Sequence, residues 1–150
     1  MWQTEEIEDE SNLFVRVHKN FVRSKDNKPS ASAFTNTPKS GNNLSSDWNK
    51  HSTPESSRDL IGKQKKPKDG TYKDPSVFFI WAFNSGKLRN EAIPKQKLEH
   101  DPVYNQPEDD FIPNNRAHSI IIGDKPENNA EFRVSLLKIG DWAIAPVPKK

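Results

Sequence analysis

The chain has 150 residues, 31% of them hydrophobic, with 12 prolines, no cysteine and a formal net charge of +2. That length can bury the core of one domain, but the low apolar fraction and a mean hydropathy of -0.97 require part of it to run as poorly packed loop. The charge is too mild to announce nucleic-acid binding, the lack of cysteine excludes disulfides and thiolate metal sites, and the longest apolar run, VFFIWAF (77–83), is far short of the ~20 residues of a membrane helix. A soluble, cytoplasmic protein with no membrane contact is expected.

Residues 1–11 carry Glu5, Glu6, Glu8, Asp9 and Glu10 with no base, the opposite of a secretory leader. They read as a flexible acidic tail in front of a single domain over 12–147, with Trp2 a candidate to pack back. In NLFVRVHKNFV (12–22), Leu13, Val15 and Val17 alternate with Phe14, Arg16 and His18, the period of a strand. Residues 23–46 are dominated by Ser, Asn, Lys and Pro, with Phe34 and Leu44 almost the only apolar anchors of a long loop.

STPESSRDLIG (52–62) has capping-box spacing at Ser52 and Glu55, Pro54 in the first turn and Gly62 as a stop, so a short helix is expected. KQKKPKDGTYK (63–73) is a basic loop with a turn. SVFFIWAF (76–83) reads as a central strand buried on both faces, and SGKLRNE (85–91) as a short helix. QKLEHDP (96–102) and HSIIIG (118–123) read as strands, separated by an acidic loop. In NNAEFRVSLLKIG (128–140), box-like Asn128 and Glu131 and a helical period at Phe132, Leu136 and Ile139 predict a helix stopped by Gly140. Prolines in the tail oppose regular structure there. The sum is an α+β fold: a small mixed sheet, two or three short helices and a long Ser/Asn/Pro-rich loop.

No phosphate-binding glycine loop, dinucleotide fingerprint or nucleophile elbow is present. The candidates for chemistry are the histidines, His18, His51, His100 and His118, above all the last two. His100 and Asp101 close one strand; Asn115, Arg116 and His118 open the next. Were those strands antiparallel neighbours, both imidazoles would reach one cleft beside Arg116. One could take a proton from an attacking hydroxyl, the other protonate the leaving oxygen, and Arg116 stabilise the developing charge, as a metal-independent phosphodiesterase requires. Asp101 would orient a ring and Asn115 bind a base or phosphate. A histidine flanking a strand is, however, more often a satisfied or solvent-facing residue than a catalyst.

Glu108, Asp109 and Asp110 beside His100 are a possible cation site, but acid runs are usually solvated, so neither metal nor cofactor is expected. Lys65 and Lys66 could steer a polyanion with Tyr72 stacking, or simply solubilise a loop. Ser45 and Asp47 could edge a site, with Trp48 only anchoring the chain. Arg16 and His18 could instead serve nucleotide binding.

The segments SASAF, LSSDWNKHSTPE, KLEHDPV and NNRAHSIIIG together resemble a family of short uncharacterised bacterial proteins, to which no activity attaches. The resemblance spans roughly residues 13–145. It implies one ordered unit containing Ser32, Phe34, Ser45, Asp47, Asn115, His118 and Gly123, and departs from the family's pattern in the acidic opening and the insert at 105–111.

Three functions follow as expectations. The first is an accessory or binding module acting with a protein or nucleic-acid partner. The second is a ribonuclease-like enzyme using His100 and His118, and the third a nucleotide-handling domain using Arg16, His18 and Ser45. The oligomeric state is open.

Overall fold

The structure, a computed structural model, describes residues 2–38, 41–66, 69–104, 113–126 and 128–147. The strands are β1 (Asn12–His18), β2 (Val22–Arg23), β3 (Lys28–Pro29), β4 (Leu44–Trp48), β5 (Phe78–Asn84), β6 (Lys97–His100), β7 (His118–Ile122) and β8 (Gly140–Ile144). The helices are α1 (Pro54–Asp59), α2 (Ser85–Asn90) and α3 (Ala130–Lys138). Six strands form one sheet in the order β6-β7-β4-β1-β5-β8, and β2 and β3 form a small hairpin of their own. The fold is α+β, and every pair of neighbours in the large sheet is antiparallel.

Period-2 patterning explains why β1 holds its place. Leu13, Val15 and Val17 face the core, while Phe14, Arg16 and His18 face the other way. All seven residues of β1 pair with β5, whose apolar character follows from lying between β1 and β8. Phe34, Leu88, Phe132, Leu136 and Ile139 close over the core face against Val15, Trp48, Trp81, Phe83 and Ile121. Burying a side chain of this size contributes roughly 1.5–3 kcal/mol.

Several expectations are corrected in detail. Thr53, not Ser52, caps α1, its hydroxyl accepting from the Ser56 N–H. Asn129, not Asn128, caps α3, through the Glu131 N–H. Both helices start one residue later than the box spacing suggests. Gly140 does not merely stop α3. It opens β8, where a Cβ would come within 2.3 Å of Trp81 Nε1, so glycine lets the edge strand lie on the indole. Residues 141–144, assigned to an irregular tail, complete that strand before Pro146. β7 is buried at alternate positions only, Ser119 and Ile121, so its isoleucines are not all interior.

The long loop carries the β2–β3 hairpin and a 3-10 turn at Ala31–Phe34 that delivers Phe34 to the core. The acidic opening, expected to be a flexible tail, is docked: Ile7 is buried in the core, Asp9 pairs with Arg89, and Trp2 meets Tyr104 edge-on. Trp2 was a candidate to pack back, but Ile7, flanked by acids, gave no periodicity by which to expect its burial.

One irregularity of the sheet positions everything that follows. β1 stays paired with β5 out to His18–Phe78, and β4 stays paired with β7 out to Leu44–Ile121. Between β1 and β4, however, the ladder covers only Leu13–Trp48 and Phe14–Asp47. The sheet therefore splits down its middle beyond Phe14.

Candidate functional site

The split opens a cleft of about 370 Å³, the lower end of the range for small-molecule sites. β1 contributes Phe14, Arg16 and His18 to it, β4 contributes Ser45 and Asp47, and β7 contributes His118. Ser32, Thr35 and Thr37 from the long loop face it from across the gap, and Phe21 and Phe78 supply an aromatic end where Phe78 packs edge-on against His18. Of the expected site residues, Arg16, Ser45, Asp47 and His118 thus share one cleft.

Strand register explains the grouping. Asp47 lies opposite Phe14 on one side and His118 on the other, so all three project from the same face. Ser45 and Arg16, each two residues away along its strand, share that face. Asp47 is the hub. Its carboxylate accepts from Arg16 Nη2 at 3.2 Å, from the Ser57 hydroxyl on α1, and from Asn115 Nδ2 at 2.7 Å. The Asp47 side chain is only 4% exposed, so these partners are what makes a buried carboxylate tolerable. Arg16 Nε donates to the Ser57 carbonyl at 2.9 Å, which fixes the guanidinium plane over the cleft wall.

His118 is held differently. Its Nδ1 lies 2.8 Å from the Asp101 carbonyl oxygen and 3.3 Å from the Asp101 carboxylate. A carbonyl can only accept, so Nδ1 carries the proton and Nε2 presents its lone pair. The Ser45 hydroxyl, 3.1 Å from Nε2, is then the donor. Asp101 therefore holds the ring with its main chain as well as its side chain. Asn115 works one step removed: it holds Asp47 and accepts the Ala117 N–H, shaping the turn that launches β7.

The expected pairing of His100 with His118 across one cleft is not what the sheet produces. His100 lies opposite Ser119, one residue out of phase with His118, so the two rings project from opposite faces. His100 is buried against Trp48; its Nδ1 accepts the Glu5 N–H at 3.0 Å and its Nε2 donates to the Arg116 carbonyl at 2.6 Å. Arg116 contributes that carbonyl, while its own residue is exposed and does not line the cleft. Lys65 and Lys66 also lie away from the cleft, on a hairpin where the Lys65 ammonium sits over the Tyr72 ring. Glu108, Asp109 and Asp110 fall outside the described residues.

Sequence reasoning gave His51 no role and did not single out Glu5. Among the described residues, Glu5, His51 and His100 are the one group of three metal-capable side chains whose ligand atoms all lie within 4.8 Å of one another. Each ligand atom is already engaged. The Glu5 carboxylate takes the Lys50 ammonium and His51 Nε2, and His100 Nδ1 takes the Glu5 N–H. The Lys50 hydrogen bond first, then that of His51, holds the Glu5 carboxyl down to about 2. A lysine on the same carboxylate opposes a second cation, so the cluster works as a clamp that fastens the N-terminal segment.

A second groove of about 580 Å³, beside Lys19, Arg58, Phe79 and Val147, brings together no comparable set of acid–base groups. β5, expected as a central strand, lies between β1 and β8 and presents no sheet edge. No helix among the described residues is long and apolar enough to cross a membrane.

No known protein-family model matches the chain, and neither a curated protein nor a solved structure does.

Proposed function

We propose that the protein handles a nucleotide in the cleft between β1 and β4. The observation that carries this is the convergence of Arg16, Ser45 and His118 with the aromatic end formed by His18, Phe21 and Phe78 in one opening of the right size. A phosphate needs a cation and a hydroxyl donor; Arg16, with Ser32 at the cleft's rim, offers both. A base needs an aromatic face to stack on, and His18, Phe21 and Phe78 place aromatic rings at the far end. The split ladder supports this reading, because two parted strands leave room within the sheet that a continuous ladder would fill.

Titration calorimetry with mononucleotides tests the proposal. Adenosine or guanosine monophosphate should bind the wild type, and Arg16→Met should weaken binding at least ~10-fold, because a charge-assisted contact to phosphate is lost. His18→Ala should weaken it less and reduce discrimination between nucleotides and inorganic phosphate. An absence of binding at millimolar nucleotide, or binding untouched by Arg16→Met, would refute the proposal.

A further inference from the structure

We infer that Ser45 is a nucleophile activated by His118, so that the cleft transfers a phosphoryl group rather than only holding one. This rests on the nucleotide proposal for its substrate class, a phosphoester, but on separate geometry for its chemistry. Three groups stand in line: the Ser45 hydroxyl, the imidazole of His118 3.1 Å away, and the Asp101 carbonyl 2.8 Å beyond with the Asp101 carboxylate beside it. That is the arrangement of a hydroxyl, a base within hydrogen-bond reach, and a third group that fixes the base's tautomer. Both Ser45 and His118 border the open cleft, so a phosphorus atom can approach the hydroxyl. Asp47 cannot replace His118 as the base, because its oxygens already take three donors. Its part is to hold Arg16 in the same cleft, where the guanidinium meets charge developing on phosphate oxygens.

The step balances without a co-reactant other than water. Ser45 Oγ attacks phosphorus and forms the Oγ–P bond as its proton passes to His118 Nε2. The bond from phosphorus to the leaving oxygen breaks, and that oxygen takes the proton from Nε2. Water then gives a proton to Nε2 and attacks phosphorus, the Oγ–P bond breaks, and Oγ recovers its proton.

The test is covalent labelling with a fluorophosphonate, which forms the same Oγ–P bond, expels fluoride and leaves a stable adduct. Intact mass and peptide mapping should place one adduct on Ser45 of the wild type and none on Ser45→Ala. His118→Ala should label at least ~100-fold more slowly, the usual worth of a positioned base, with its circular dichroism spectrum and Tm showing that it is folded. Should the Ser45 variant fail to fold, slowing of wild-type labelling by saturating adenosine monophosphate gives the same localisation. No adduct on folded wild type, or equal rates in wild type and His118→Ala, overturns the inference. Nucleotide binding without labelling sinks the nucleophile alone; labelling of Ser45 without nucleotide binding or protection leaves the nucleophile standing and sinks the nucleotide proposal.

Discussion

His100 and His118 sit at facing ends of neighbouring strands, β6 and β7, yet they live in different chemical surroundings. His100 is buried on the core face with both ring nitrogens committed to main-chain groups. His118 lies on the opposite face with one nitrogen on the main chain and the other on a serine hydroxyl at the wall of a cleft. A register difference of one residue separates an imidazole buried against main-chain groups from one that borders the cleft. A histidine's use is thus set by which groups satisfy its two nitrogens, and the strand pairing decides that.

The widest separation between the two regions should come from their carboxylate and imidazole anchors. Asp47→Ala strips Arg16, Ser57 and Asn115 of a shared acceptor and leaves a guanidinium half-buried, so it should cost about 3–5 kcal/mol in urea denaturation and abolish nucleotide binding. His100→Ala removes a buried ring and orphans the Glu5 N–H and the Arg116 carbonyl. It should cost about 2–4 kcal/mol while leaving the rate of Ser45 labelling within twofold of wild type. His118→Ala should do the reverse, costing less than ~1 kcal/mol of stability while removing the labelling. If both histidine variants lose stability alike and neither affects labelling, the contrast drawn between them is gone.

Two pH effects sharpen the same contrast from outside the cleft. Lys125 is buried with Nζ donating to Asn36 Oδ1 and to the carbonyls of Ile121 and Gly123. Desolvation lowers it to about 8, with Asp124 opposing. Its folded value lies below the unfolded one, so the unfolded chain binds more protons between about pH 8 and ~10.4, and stability should rise over that window. Lys125→Met should flatten the rise in a pH series of urea midpoints. Glu5 is the opposite case: its carboxyl is lowered to about 2, so its contribution is fully present above about 4.5 and fades as pH falls toward 2. Amide exchange at Ile7 should accelerate over that lower window, and Glu5→Gln should show fast exchange already at neutral pH.

Much of the local structure was legible because it is written in nearest neighbours. The alternation of Leu13, Val15 and Val17 names a strand and its buried face, the apolar run from Phe78 names a covered one, and Gly123 does end its strand. Its φ is +151°, and a Cβ there would meet Gln96 Oε1 at 2.8 Å. Caps were legible to within one residue, since Ser52 and Thr53, like Asn128 and Asn129, offer equivalent oxygens. What could not be read is non-local. Nothing in KLEH or AHS states that His100 meets Ser119 rather than His118, nor that β1 and β4 pair at two positions and then part. The site residues Arg16, Ser45, Asp47, Asn115, Asp101 and His118 were each recognisable by type. Their grouping, and the exclusion of His100 and Arg116, depended on sheet order and register. The joining of Glu5 to His51 was not legible, because a clamp made from a tail and a turn leaves no spacing pattern.

The difference between the two imidazoles can be measured without any substrate. Long-range proton–nitrogen NMR correlation of the histidine rings reports which nitrogen carries the proton. The structure requires His118 as the Nδ1–H tautomer, held by the Asp101 carbonyl, and His100 as the Nε2–H tautomer, held by the Arg116 carbonyl. Adding adenosine monophosphate should then move the His118 Nε2 resonance and leave both His100 nitrogens in place. Opposite tautomers with a shift at His118 alone is the predicted result; a shared tautomer, or a nucleotide response at His100, would contradict the account.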